Sequence, residues 1–302
     1  MKKNARSHRA TLFVEDTEVL SVKAFPGAQY VLRLHSPKCA KHATAGSFIH
    51  LQCDESILMR RPISMMRASV EDGWIDILFK VVGEGLQALG QKKPGDFLSS
   101  IGPIGHGFKA TPGRNRPLLI GGGVGIPPMI FLADTLRNND RQWQPLVIMG
   151  SEIPFPFECV DSTIDCDWVS PDIIATMSLL EDWGIPARLA SLENFAGTYR
   201  GYVTDVAEKF LRSLTDRELQ EVEIFSCGPT PMLKAVAKLA TDYGLPCQVS
   251  LEEYMACAVG GCAGCTVMVK TNDGPAMKRV CVDGPVFAAT SVYSLEHALQ
   301  EI

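Results

Sequence analysis

The chain has 302 residues, enough for two or three domains, with a hydrophobic fraction of 46% and a formal net charge of −5. That mild acidity argues against a nucleic-acid binder, which needs a basic surface to neutralise phosphates, and no apolar run is long enough to span a bilayer. The start, Met1-Lys-Lys-Asn-Ala-Arg6, is basic without the apolar stretch of a secretory signal, so the ten cysteines are expected in a reducing, cytoplasmic compartment.

From about Thr11 to Phe108, short β-like runs alternate with turn residues, as in Tyr30–His35, Gly46–Leu51 and Trp74–Val82. Their regular spacing predicts a small antiparallel barrel. Arg60-Arg-Pro-Ile-Ser64 is expected between barrel strands. A guanidinium and a hydroxyl beside a rigid proline suit a phosphate or a flavin edge, although two arginines on a loop also serve as an ordinary solvated face. The stretches Pro103–Phe108 and Thr111–Arg114 read as a loop leading to a boundary.

The pattern then changes to strand–helix alternation, which predicts a parallel α/β sheet. Arg116–Ile120 reads as a buried strand, Met129–Leu136 as a helix and Gln144–Met149 as a second strand. Glu223–Ser226 and Met232–Ala240 repeat the pattern. Between the first strand and helix lies Gly121-Gly-Gly-Val-Gly-Ile-Pro-Pro128. Glycines there let backbone approach a pyrophosphate at a helix N-terminus. The run departs from G-x-G-x-x-G, since counting from Gly123 places Pro128 last, and a tight strand–helix turn is the simpler alternative. Glu152 and Glu158 follow the second strand. A carboxylate at that point suits a free ribose 2′-hydroxyl and favours NADH over NADPH, although both also fit as surface carboxylates. Cys227, in Ser226-Cys-Gly-Pro-Thr-Pro-Met232, reads by itself as a buried structural thiol.

Near the C-terminus Cys257, Cys262 and Cys265 form C-x4-C-x2-C, with Cys281 a short way on. Plant-type [2Fe–2S] proteins use that spacing with one remote thiolate. Two irons need four soft thiolates, and Gly260, Gly261 and Gly264 let the backbone wrap closely and aim N–H groups at sulfur. Zinc ribbons normally show two Cys-x2-Cys pairs, and only one exists here. Inert core cysteines are a third reading. Thr266–Val269 reads as a strand.

Taken together, Arg-Pro-x-Ser in a barrel, the glycine–proline turn after a strand and Cys-Gly-Pro after a later strand resemble the ferredoxin–NADP reductase superfamily. With the cysteine loop added, the chain resembles the electron-transfer subunits of dihydroorotate dehydrogenase B from about Ala10 to Tyr293. The matching runs are Arg61–Ser64, Gly102–Phe108, Gly121–Pro128, Gly201–Asp205, Cys227–Pro229, Glu252–Cys265 and Cys281–Phe287. The resulting expectation is a multidomain β plus α/β protein. It comprises an FAD-binding antiparallel β-barrel over 1–112, an NAD-binding parallel α/β domain over 113–246 and a small [2Fe–2S] domain over 247–302.

The resemblance implies that Arg61, Pro62, Ile63 and Ser64 bind FAD, with Leu78, Phe79 and Lys80 lying along it. Gly85 and Leu86 fall near its pyrophosphate, and Leu86 replaces the family's usual threonine, leaving only a backbone N–H. NAD falls to Gly121, Gly122, Gly123, Val124, Gly125, Pro127, Gly228 and Pro229. Cys227 is the catalytic candidate, near the nicotinamide–flavin contact. Cys257, Cys262, Cys265 and Cys281 are the implied cluster ligands. The segment between Gly150 and Gly201 is longer than is usual in the family and is expected to meet the adenosine half of the dinucleotide.

NADH gives hydride whereas a [2Fe–2S] cluster takes single electrons, and a flavin between them handles both. The resemblance implies electron transfer between NAD and an FMN-containing dihydroorotate dehydrogenase catalytic subunit in pyrimidine biosynthesis, in a heterotetramer of two of each chain. The chain lacks a dihydroorotate site of its own, so it is expected to reduce dyes with NADH alone and to turn over dihydroorotate only with a partner. Three rivals remain. A stand-alone oxygenase reductase is disfavoured by the short gap between Cys265 and Cys281. A bifurcating NADH-dependent ferredoxin–NADP reductase or sulfide dehydrogenase subunit shares most motifs. A redox sensor or zinc-stabilised binding module would be colourless.

Overall fold

Six strands with alternating inward and outward side chains close into a barrel: β1 (Phe13–Phe25), β2 (Gln29–His35), β3 (Phe48–Leu51), β4 (Arg61–Ser69), β5 (Trp74–Lys80) and β6 (Phe97–Ile104), in the order β1-β2-β5-β4-β3-β6. The computed structural model describes residues 11–139 and 141–293. Val19, Leu32, Leu34, Ile49, Leu51, Met65, Ile75 and Ile77 are fully buried and fill the barrel. Two short helices, α1 (Pro37–His42) and α2 (Glu84–Gly90), lie between strands. The Arg61–Ser64 run is not a loop. It is the first half of β4, paired antiparallel with β3 through Leu51↔Arg61, His50↔Pro62, Ile49↔Ile63 and Phe48↔Ser64. Alternation decides this, because Ile63 and Met65 are buried while Arg61, Pro62 and Ser64 stay partly open.

The second layer is a seven-stranded sheet. Its members are β7 (Arg116–Gly122), β8 (Leu146–Gly150), β11 (Ala187–Ser191), β12 (Tyr199–Arg200), β13 (Val222–Cys227), β14 (Cys247–Ser250) and β17 (Val286–Ala288), in the order β12-β11-β8-β7-β13-β14-β17. All neighbours are parallel except β14 and β17. The strands β7, β8 and β13 are almost continuously buried, as parallel strands covered on both faces must be. Helices α3 (Ile126–Arg137), α5 (Val203–Ser213) and α7 (Thr230–Asp242) are the long crossover helices, with the one-turn α6 (Asp216–Leu219) before β13. Prolines open α3 and α7, where a missing N–H costs nothing. Between β8 and β11 the long insertion forms a small hairpin, β9 (Cys159–Asp161) with β10 (Ala175–Met177), followed by α4 (Ser178–Asp182).

A third unit, the hairpin β15 (Thr266–Thr271) and β16 (Gly274–Arg279), follows the cysteine loop, and α8 (Ala289–Val292) closes the described chain. It leaves the sheet at β14 and returns to it as β17, so residue 247 falls at the start of a sheet strand.

Two cores join these units. In one, barrel residues such as Met65 and Leu78 are continuous with Met129, Ile130 and Phe131 of α3. In the other, Phe48 and Ile104 of the barrel meet Ile120, Val249, Met255, Cys265 and Cys281. Among the described residues no helix is long and apolar enough to cross a membrane.

Candidate functional site

The sheet order places a switch point between β7 and β13. From β7 the chain steps outward through β8, β11 and β12, then returns to β13 and continues the other way. Open α/β sheets bind ligands in the crevice at such a point, outside the carboxyl ends of the strands. The loops there are Gly121–Gly125 and Cys227–Pro229, and they interlock. A Cβ built on Gly125 would lie 2.3 Å from the carbonyl carbon of Cys227 and 2.5 Å from the amide nitrogen of Gly228. On Gly122 it would meet the Met232 sulfur at 2.5 Å. Gly123 has φ +55 in the one-turn 3-10 segment before α3. Val124 stands at the tip, 38% exposed, and Pro127 is the second residue of α3.

Cys227 ends β13 with its backbone against Gly125, and its side chain is wholly enclosed. Burial pushes its thiol well above the usual range, with Glu252 adding to the effect. The thiol therefore has no open face toward a ligand and is held protonated. Glu152 is exposed just beyond β8, while Ser151 is tied down by Ser191, whose hydroxyl donates to the Ser151 carbonyl at 2.6 Å. Glu158 is also exposed and directly precedes β9. The insertion is anchored to the barrel. Gln29 donates to the carbonyls of Pro26 and Pro154 at 2.9 and 2.7 Å, and Phe155, Phe157 and Phe195 pack together.

On the barrel the two adjacent arginines part company. Arg60 braces β6, donating to the Ser99 carbonyl and, at 2.8 Å, to its hydroxyl. Arg61 donates to the Met59 carbonyl at 2.7 Å and lays its guanidinium over Gly85, where a Cβ would sit 3.1 Å from a terminal nitrogen. A partly open guanidinium above a bare backbone is suited to an anionic phosphate group. Leu86 is partly buried and packs against the barrel core. Leu78 and Phe79 are core side chains, 2% and 3% exposed, with Phe79 stacked on Tyr30. Of these three neighbours only Lys80 offers a partly open side chain.

The four C-terminal cysteines sit on two segments brought together by the third unit. Cys265 and Cys281 are buried with sulfurs 3.3 Å apart. Cys257 and Cys262 lie on the outer loop, Cys262 exposed. The backbone N–H of Cys262 donates to the Cys257 sulfur, and that of Gly264 to the Cys262 sulfur, both at 3.4 Å. The converging N–H groups, that of Cys262 foremost, lower the Cys257 thiol to about 6, favouring thiolate. Burial, and then Cys265, raise the Cys281 thiol to about 12. Ala258, Gly260 and Ala263 all have positive φ, the wrapping that aims these N–H groups inward.

Among the described residues no three His, Cys, Asp or Glu side chains are grouped tightly enough for a single ion. One close thiol pair with the other two cysteines on a loop of inward N–H groups fits two irons, each taking two thiolates, better than one zinc.

Three supports of this site were not singled out in the sequence. Arg279 donates to the Gly260 carbonyl at 2.8 Å and braces the loop. Met232 packs on both switch-point loops, against Gly122 and Gly228. Gly105 and Pro285 bring together the two runs Gly102–Phe108 and Cys281–Phe287, with the His106 N–H donating to the Gly284 carbonyl at 2.6 Å. Only the last carried a sequence signal, since both runs are among the family matches.

A barrel joined to a doubly wound sheet, with a cysteine loop packed against both, defines a flavin- and nicotinamide-type reductase of ferredoxin-reductase architecture bearing an iron–sulfur module. Residues 252–293 match the family described as the iron-sulfur cluster binding domain of dihydroorotate dehydrogenase B. The dihydroorotate dehydrogenase B (NAD(+)) electron transfer subunit of Desulforamulus reducens is 32% identical over 281 residues, covering 92% of this chain and 98% of that one. The corresponding subunit of Caldanaerobacter subterraneus is 35% identical over 248 residues, 82% and 86% of the two chains. Among solved structures, an NADH-dependent reduced ferredoxin-NADP oxidoreductase studied for flavin-based electron bifurcation superposes with a TM-score of 0.73 at 25% identity, over 94% of this chain and 91% of that one. The chain belongs to the family of dihydroorotate dehydrogenase B electron transfer subunits.

Proposed function

We propose that this chain carries electrons between NAD and a dihydroorotate-oxidising partner subunit in the cytoplasm, with FAD and a [2Fe–2S] cluster as its own cofactors. When bound, the flavin exchanges hydride with the nicotinamide and single electrons with the cluster, a conversion neither of the others can make. The observation that carries the reading is the packing of the cysteine module. It is threaded into the sheet through β14 and β17 and packed against the barrel's end through Gly105 and Pro285, which supports a cluster held close to the flavin and nucleotide domains.

The residues divide the work. Arg61 and the backbone at Gly85 hold the flavin's phosphates, and Pro62, Ile63 and Ser64 supply the strand beside it. The Gly121–Gly125 turn and the Gly228–Pro229 loop receive the dinucleotide at the switch point. Glu152, beyond β8, meets the ribose and favours NADH. Cys257 and Cys262 hold one iron, and Cys265 and Cys281 the other. The partner contributes FMN and the dihydroorotate site, in an assembly of two chains of each kind.

The test is co-expression with a dihydroorotate dehydrogenase catalytic subunit. The chain alone should bind flavin and iron and reduce a dye with NADH. Dihydroorotate-dependent reduction of NAD should require both chains. A chain loaded with flavin but lacking iron and acid-labile sulfide after anaerobic preparation would overturn the reading. The likeness to the bifurcating oxidoreductase supports a second reading, a subunit of an NADH-dependent ferredoxin–NADP reductase. Co-purification with a subunit that reduces NADP rather than oxidising dihydroorotate would select it.

A further inference from the structure

Strand β3 is buried along its whole length, but its two faces look into different cores. Ile49 and Leu51 point into the barrel. Phe48 and His50 share the opposite face, since alternate residues of a strand do, and Phe48 lies in the core that contains Met255, Ala258, Cys265 and Cys281. His50 is 1% exposed, and neither ring nitrogen has a hydrogen-bond partner. The ring approaches the backbone of Arg60 and of Met255 without completing a bond to either. Across the strand pair His50 is opposite Pro62.

An unsatisfied buried imidazole costs stability that an apolar residue of similar size would not. Its position accounts for keeping it. On one flank is the Arg61–Ser64 strand, and on the other is Met255, two residues before Cys257. We propose that His50 is a positioning residue that fixes the loop entering Cys257 relative to the strand carrying Arg61–Ser64, and so sets the electronic contact between the two redox sites. The inference rests on the proposed function.

The experiment uses the full chain, prepared anaerobically, as native protein and as His50→Leu and His50→Gln. It reads flavin and iron per chain, melting temperature, the low-temperature EPR spectrum after dithionite, and the rate of visible bleaching after mixing with NADH. His50→Leu should keep both cofactors and melt no lower than native, because two unsatisfied nitrogens are removed. Its EPR lines should shift, and the iron–sulfur phase of bleaching should slow about tenfold, the lower end of what contacts outside the ligand shell contribute. His50→Gln, which keeps a polar group of similar reach toward the backbone of Arg60 and Met255, should recover part of both. The idea fails if spectra and rates of both variants match native within about twofold. It fails too if His50→Leu loses flavin and iron together with a lowered melting temperature, which marks an ordinary core residue. Native protein with flavin but no iron would sink the proposed function instead, so the two failures are separable.

Discussion

Gly105 and Pro285, 180 residues apart in sequence, touch so closely that a Cβ on Gly105 would lie 2.3 Å from the Pro285 ring and 2.9 Å from the Gly284 carbonyl oxygen. This is the seam between the barrel and the cysteine module. Gly105 also has φ +89, where a side chain is strained. Gly105→Ala should therefore cost about 1–3 kcal/mol for the backbone alone, with the clash added. Gly95 is the control, because it has φ +92 and nothing within 4 Å of its would-be Cβ. Thermal melts should show Gly105→Ala well below Gly95→Ala, and iron content should fall only in the former. Equal melting points would mean the seam is not tight.

The cysteines separate by function. Cys265→Ser and Cys281→Ser should abolish iron and acid-labile sulfide while flavin absorbance persists, since the barrel interior from Val19 to Leu98 packs in a core without these two cysteines. Cys39→Ala should keep both cofactors. Cys39 is 1% exposed near Met65 inside the barrel, with its thiol raised to about 12 by burial and then by Glu15. Loss of iron from Cys39→Ala, or its retention in Cys281→Ser, would contradict the assignment.

Much of this was legible in the sequence because it rests on local rules. Alternation and β-branched content in Tyr30–His35 and Trp74–Val82 gave barrel strands, found as Gln29–His35 and Trp74–Lys80, and the short run Arg116–Ile120 gave a buried parallel strand, found as Arg116–Gly122. The cysteine spacing gave the metal chemistry. What remained hidden depends on distant contacts. The Arg-Pro-x-Ser match singles out Arg61, but nothing local reports that Ser99 takes up Arg60 or that Gly85 lies under Arg61. The burial of Cys227 agrees with its reading as a structural thiol, but nothing local reports that the chain returns from the cysteine module as an antiparallel strand on β14.

That division between the arginines is measurable. Arg60→Ala removes charged hydrogen bonds to β6 and should cost about 1.5–3 kcal/mol of stability while flavin still binds. Arg61→Ala should melt near native once flavin is removed, yet bind FAD at least about tenfold more weakly, since a bidentate donor to phosphate is lost. Flavin titrations by fluorescence quenching, alongside melts of the flavin-free protein, distinguish the two. The reverse pattern would reassign their roles.

Cys227 and Gly125 give the sharpest test of the dinucleotide crevice. The Cys227 side chain is wholly enclosed, so its contribution is to packing beneath the two switch-point loops. Cys227→Ala should lower stability by about 1–2 kcal/mol and leave NADH-dependent dye reduction within about tenfold of native, because a protonated, buried thiol touches no reacting atom. Gly125→Ala places its Cβ 2.3 Å from the Cys227 carbonyl and must push the two loops apart. A displacement of about 1 Å at a reacting site costs on the order of a hundredfold in rate. Gly125→Ala should therefore lose far more activity, with a raised KM for NADH, while flavin and iron stay at native levels. If Cys227→Ala instead loses as much as Gly125→Ala with KM unchanged, the thiol does reach the nicotinamide during turnover, and the loops open more than this arrangement allows.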